Sequence, residues 1–359
     1  MLKKLDLYII KKFLGTFFFA IILIIGIAVI FDAAENMDDF VDKKAPMSKI
    51  IFEYYLNFVP YFANLFSALF VFISVIFFTS KLSSNSEIIA MLSSGISFRR
   101  LLVPYFISAF IIAVFSYILS NFVIPPANQT RIDFENKYLK NKYQNHDMNI
   151  HKQISPGLYV YVERYHNDGN VGNRFSIERI EDMKLVSKTN ALNITWDTVA
   201  KKWVMDVYYT RNLNGMEEDL IKGAKLDTLL NLSPQDFINR DNTKETMDYW
   251  QLNEHIEKLK LEGSDLVANY VIEKHKRLSM PFAAFILALI GVAVSSRKVR
   301  GGIGLHLGIG LGLSFSYIMF MQISTNMATS GAMDPLIAVW MPNVVFSLIA
   351  FYMYKRAPK

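Results

Sequence analysis

Six apolar stretches free of Asp, Glu, Lys and Arg recur along the chain, at residues 13–31, 55–80, 101–124, 279–296, 303–327 and 335–354. Each is long enough for a helix to cross a hydrocarbon core of ~30 Å. The pattern predicts an α-helical membrane protein with three spans on either side of a polar insert.

Inside the insert the apolar period falls to two, as at residues 158–162, 174–180, 191–196 and 203–209. Pro156-Gly157, Asn167 to Asn170 and Asn212 to Gly215 supply turn chemistry between these runs. The expectation is an all-β, antiparallel, sandwich or jelly-roll-like domain over residues 125–246.

A helical period follows. Tyr249, Trp250, Leu252, Ile256, Leu259 and Leu261 are expected to share one helix face, Gly263 to stop the helix, and Ser264-Asp265 to cap the next, which runs unbroken into span four. The organisation read from this pattern is residues 1–124 for spans one to three, 125–246 for the β domain, 247–278 for a helical connector and 279–359 for spans four to six.

Charge orients these spans. Lys3, Lys4, Lys11 and Lys12 precede span one, Lys81, Arg99 and Arg100 lie between spans two and three, Arg297, Lys298 and Arg300 between four and five, and Lys355, Arg356 and Lys359 end the sequence. All four segments fall on one face, so the positive-inside rule puts both termini in the cytoplasm and the insert outside. The loop after span one is acidic, with Asp32, Glu35, Asp38, Asp39 and Asp42 outnumbering Lys43, Lys44 and Lys49. A cleaved signal peptide fits poorly, because the first apolar run is long and residues 32–36 lack a small-x-small cleavage site.

The net charge of +6 is explained by these cytoplasmic edges, which face anionic headgroups, and calls for no nucleic acid. The absence of cysteine removes disulfides, thiol nucleophiles and thiolate metal sites.

Candidate chemistry is sparse. No span carries a carboxylate for ion coupling, and His306, near the start of span five, reads as a packing or interfacial histidine. Asn57, Asn64, Asn121, Gln322, Asn326 and Asn343 read as interhelical hydrogen-bond partners. No phosphate-binding G-x-x-x-x-G-K-[ST] loop and no histidine pair with metal-ligand spacing occurs. The chain carries no cofactor on this reading, and energy for uphill transport enters through a partner.

Two features stand out. Between spans two and three, Asn85 or Ser86 can cap a short helix whose Ile88, Ile89, Met91 and Leu92 make an apolar surface ending at Gly95, suited either to a groove on a soluble partner or to the headgroup layer. In span five Gly304, Gly308 and Gly312 recur every fourth residue, a ridge for close helix approach within the chain or across a subunit seam.

Several segments in this order resemble the LptF/LptG (YjgP/YjgQ) permeases of the bacterial lipopolysaccharide exporter. They are Leu5-Asp6-Leu7-Tyr8-Ile9, Glu87-Ile-Ile-Ala-Met91-Leu-Ser-Ser-Gly95, Pro125, Gly157-Leu-Tyr-Val-Tyr-Val-Glu-Arg164, Asn231-Leu-Ser-Pro234, Asp265 through Pro281, and Arg300-Gly-Gly302.

The resemblance implies a permease subunit, not an enzyme, of an ABC transporter in the bacterial inner membrane. It would pair with a second LptF/LptG-type permease above a cytoplasmic ABC ATPase dimer that holds ATP and Mg, and pass lipopolysaccharide to periplasmic jelly-roll bridge proteins. Residues 84–96 would be the coupling helix, with Glu87, Met91, Gly95 and Arg99 at the ATPase contact and Arg99 and Arg100 anchoring its end to the membrane. Gly304, Gly308 and Gly312 of span five, with Phe17 and Ile21 of span one beside Phe18 and Phe19, would line a lateral gate. Arg131, Lys137, Lys274, Lys276 and Arg277 would meet lipid phosphates, for which forked arginine donors are well suited. The acidic loop after span one departs from the lysines common in the family there. A membrane scaffold that couples to an ATPase without moving lipid would share this layout, whereas a membrane enzyme would need a polar catalytic cluster that the sequence lacks.

Overall fold

The computed structural model describes residues 3–139, 148–167, 169–215, 217–237, 243–264, 266–296 and 302–357. Asp265, Arg297, Lys298, Arg300 and Lys359, invoked above, and Asp168 of the Asn167–Asn170 turn lie outside them. The chain forms two compact units, Met1–Leu139 with Glu245–Tyr249 and Ala268–Lys359, and Lys140–Lys244 with Trp250–Val267.

The first unit is helical, and among the described residues six helices are long and apolar enough to cross a membrane. Helix α1 (Lys4–Asp42) is followed by a turn, α2 (Met47–Lys49), and a π-helical segment, Ile50–Tyr55. The second span is interrupted at Phe66, giving α3 (Leu56–Leu65) and α4 (Ser67–Ser84). A short α5 (Glu87–Ser93) leads into α6 (Phe98–Ile118). A second π-helical segment, Leu119–Val123, joins α6 to α7 (Ile124–Tyr138).

Two expectations fail here for stated reasons. The acidic residues 32–42 belong to α1, not to a loop, so that 39-residue helix is ~58 Å long and outruns a ~30 Å core. Phe40 anchors its far end among Tyr54, Phe134 and Tyr138. Pro125 does not end the third span either. The π segment before it widens the turn where proline's missing N–H and ring would otherwise break the ladder, and the helix continues to Tyr138.

The second unit carries one six-stranded antiparallel sheet of β1 (Met148–Ser155), β2 (Leu158–His166), β3 (Val171–Glu181), β4 (Lys184–Asp197), β5 (Lys202–Asn214) and β6 (Glu217–Thr228), each strand paired with its chain neighbour. This is a meander, and it corrects the expected sandwich or jelly-roll connectivity. Short hairpin turns join every pair of strands, leaving no long connection to carry the chain across to another sheet.

The registers Val160, Ile177, Thr189, Thr210, Ile221 and Val162, Phe175, Ala191, Tyr208, Gly223 run across one face of the sheet. Gly223 is required because a Cβ there would lie 2.6 Å from the Tyr208 ring. Leu232 and Phe237 close over the buried part of this face, and Trp203 Nε1 fastens them by donating to Leu232 O at 2.8 Å.

Beyond the sheet, α8 (Tyr249–Leu261) buries Leu252, Ile256 and Leu259, while Trp250 and Leu261 are exposed and leave the expected shared face. Three spans complete the helical unit: α9 (Val267–Ser295), α10 (Gly302–Thr329) and α11 (Pro335–Arg356). Helix α10 packs on α4 and α11, and α1 on α4 and α6.

Gly310 and Gly291 are the close-approach points: an added Cβ would overlap Ile76 Cδ1 at the first and lie 2.8 Å from Val75 Cγ1 at the second. Overpacking of a dense core costs about 1–3 kcal/mol. Gly310→Ala is therefore expected to lower the thermal midpoint of the full chain in detergent, whereas Gly308→Ala, at a position with nothing within 4 Å, should raise it by the helix propensity gained, at most about 1 kcal/mol.

Asp236 accepts from the Ser233 amide at 2.6 Å and hydroxyl at 2.8 Å and from Lys258 Nζ. Burial alone would raise its carboxyl, but the ammonium and the Ser233 donors together hold it below the usual aspartate value of 3.8. A carboxyl that titrates lower in the folded state stabilises fully above the unfolded value and loses that contribution as pH falls through the folded one. The tryptophan-fluorescence melt of the full chain should shift down between pH about 5 and about 3. Asp236→Asn should start lower at neutral pH and lose part of that slope.

Candidate functional site

The helix α5 sits between two spans as an elbow. Ile88 is fully buried in the core cluster of α1, α4 and α6, and Met91 and Leu92 pack against the same cluster. Ile89, Ala90 and Ser93 are exposed, and Glu87 is half-exposed, accepting from Asn85 Nδ2 at 3.1 Å. The apolar surface expected over Ile88, Ile89, Met91 and Leu92 is thus divided: three of its members fix α5 to its own bundle, and Ile89 alone faces outward. Gly95 adopts φ +88°, and its amide bonds to Leu92 O at 3.1 Å while Ile96 N bonds to Met91 O at 3.2 Å, closing the helix as expected.

Arg99 and Arg100 both have partners within the chain. Arg99 Nε donates to Tyr354 Oη at 3.0 Å, and Arg100 forks onto both oxygens of Asp6 at 2.8 and 2.5 Å. Forked geometry makes this a strong, orientation-specific pair.

Helix α1 presents two unlike faces. Ile9, Phe13, Phe17 and Ile21, four residues apart, are buried against α4 and α6, so Phe17 and Ile21 belong to the core of this chain. Phe19, Ile22, Phe18 and Leu23 are the exposed members of that stretch. On α10, a Cβ added at Gly304, Gly308 or Gly312 would meet nothing within 4 Å, and Leu305, Ile309, Phe315 and Met319 are exposed around them. Packing within the chain therefore belongs to Gly310, and the four-residue ridge is open.

His306 is buried, with Nδ1 2.8 Å from Ser80 Oγ, a packing role as expected. Asn64 bridges to Ser116 and Ser120, and Asn343 to Tyr317 and Ser279 O, as interhelical partners. Asn57, Asn121 and Gln322 instead bond within their own stretch of helix.

The expected headgroup cations divide as well. A cleft of about 100 Å³ is lined by Tyr61, Asn64, Ser120, Glu273, Lys276 and Arg277 among others. Arg277 is 6% exposed and committed to Glu273 Oε1 at 2.9 Å and Met247 O at 2.8 Å. Arg131 is 8% exposed, 3.5 Å from Glu135 and 5.1 Å over the Tyr61 ring. Both arginines brace helices. Lys137 is exposed, and Lys274 and Lys276 are half-buried.

The chain is matched over residues 7–356 by a family model described as lipopolysaccharide export system permease LptF/LptG. It belongs to the LptF/LptG family. No curated protein matches it. As a family member it is a permease component of lipopolysaccharide export, the non-enzymatic part of an ABC transporter. In this LptF/LptG permease the α10 ridge and one face of α1 are exposed, and the α5 elbow joins α4 to α6. The pairing of Asp6 and the contact of Tyr354 were not read from the sequence, since their partners lie 94 and 255 positions away.

Gly308→Leu should leave insertion and the thermal midpoint intact, because its site is open, while lipopolysaccharide release from proteoliposomes carrying the complete exporter falls at least tenfold. Normal release by this variant would remove the ridge from the transport path.

Proposed function

We propose that this chain is one of two permeases in an ATP-driven exporter that extracts lipopolysaccharide from the bacterial inner membrane and passes it to a periplasmic bridge. An ABC ATPase dimer, which holds ATP and Mg, docks beneath, and both termini are cytoplasmic. The observation that carries this reading is the divided surface of α5: one side is locked into the spans and the other, with Ile89 and half-exposed Glu87, is left for a soluble partner.

The open faces of α1 and α10 take the second permease and the acyl chains. Lys137, Lys274 and Lys276 take lipid phosphates, and Arg131 and Arg277 hold the helices that display them. The β meander is the periplasmic domain. Strand β6 ends the sheet, is exposed along most of its length, and has no further strand beside it among the described residues, so its edge suits a strand of the bridge protein.

Purification from the native membrane in mild detergent, with mass spectrometry of proteins and lipids, should recover an ABC ATPase, a second six-span permease and lipopolysaccharide. Glu87→Lys and Ile89→Asp should each lower ATPase recovery severalfold with permease content unchanged. Recovery of the ATPase with no lipid in a well-folded preparation would replace the transport reading with that of a scaffold, and unchanged ATPase recovery by both variants would take α5 out of the contact.

A further inference from the structure

We infer that Asp6 and Arg100 form the joint that passes movement of α5 to α1, and are positioning residues for lipid expulsion; this rests on the exporter reading above.

The connection from α5 to α6 is only residues 94–97, and hydrogen bonds close it at both ends. Gly95 N and Ile96 N bond back to α5, and the Ser97 hydroxyl accepts from Arg100 N at 3.3 Å. Such an elbow has little freedom to absorb displacement, so a push on α5 arrives at the first turn of α6.

Arg100 lies in that first turn, and its fork grips the carboxylate of Asp6, which lies in the first turn of α1. Asp6 is 2% exposed and also accepts from Lys3 N at 2.7 Å, so its carboxylate is fixed to the start of α1 as well as to α6.

Beside the fork these helices share an apolar cluster with Ile9 and Phe13 on one and Leu101, Leu102 and Tyr105 on the other. Apolar contact is non-directional and tolerates sliding and rotation. A two-point charged fork tolerates neither, and fixes both the height and the rotation of α1 relative to α6. Rotation matters because α1 carries a buried face and an exposed face side by side, and turning it re-aims Phe18, Phe19 and Ile22. A second strut, Arg99 on Tyr354 with the Phe98 ring 6.0 Å from the Tyr354 ring, ties the same turn of α6 to the end of α11. Among the described residues no hydrogen bond or ion pair ties this turn directly to α10, which is held to α11 farther along through Tyr317 and Asn343.

The test uses the complete exporter in proteoliposomes and reads ATPase recovery, ATP hydrolysis and lipopolysaccharide released per ATP. Asp6→Asn keeps the shape of the side chain and weakens the fork. It is expected to assemble with the ATPase and hydrolyse ATP within about twofold of the unmodified chain, while lipid released per ATP falls at least tenfold. Arg100→Lys, which keeps charge without the fork, should fall between the two.

Because the chain has no native cysteine, Asp6→Cys with Arg100→Cys can be joined by a short bis-maleimide. The unjoined pair should be uncoupled and the joined pair should regain most of the release per ATP. Wild-type coupling in Asp6→Asn, or equal behaviour of the joined and unjoined pairs, would overturn the joint. So would failure of Asp6→Asn to assemble, which would assign the pair to folding. Failure of the unmodified chain to bring down an ATPase or release lipid would instead overturn the exporter reading, before any variant is compared.

Discussion

Helices in lipid gain little from burying one apolar side chain against another, because the acyl chains they leave are equally apolar. Their arrangement depends instead on where backbones can approach closely and on a few polar groups that must find partners inside the protein. The helical unit shows both. Gly310 and Gly291 let α10 and α9 close on α4, and Thr79 with Tyr105, Ser80 with His306, Asn64 with Ser116 and Ser120, and Tyr317 with Asn343 tie helices in pairs. Each such tie is worth roughly 1 kcal/mol, so no single one defines the bundle; together they select one packing among many of similar apolar contact.

Spans and their order were legible because a membrane demands long uncharged runs, a constraint local to each segment. What a helix does beyond the bilayer was not legible in the same way. The acidic stretch after span one reads as a loop by charge, yet it continues α1 because Phe40 finds Tyr54, Phe134 and Tyr138, residues distant in sequence. In the β domain the four central strands alternate visibly. The edge strands β1 and β6 do not, since Met148–Ser155 and Glu217–Thr228 are rich in polar and charged residues, a composition that protects sheet edges from unwanted pairing.

Site residues were legible by type more than by role. Arginine near a membrane surface suggests phosphate binding, and only the fold reveals that Arg277 gives its donors to Glu273 and Met247 O and that Arg131 is buried 3.5 Å from Glu135 and over the Tyr61 ring. Phenylalanines in a row in span one look equivalent, and the four-residue spacing from Ile9 to Ile21 decides which of them are core. The direction of a helix face depends on its neighbours, and one sequence without its tertiary contacts does not specify them.

Glycine position carries the last step. A glycine inside a helix costs about 1 kcal/mol relative to alanine, and a close contact can offset that cost, as Ile76 does at Gly310. At Gly304, Gly308 and Gly312 nothing in the chain is near enough to do so. Three uncompensated glycines on one face would weaken α10 with no return if lipid were their only neighbour, since a fluid acyl chain fills an alanine surface as readily. A helix backbone seated along the ridge would supply the missing contact, and the permease reading places one there. The open ridge and the charged fork at the start of α1 then have complementary roles: one surface is shaped to be approached, and the other holds α1 in the orientation from which it can move.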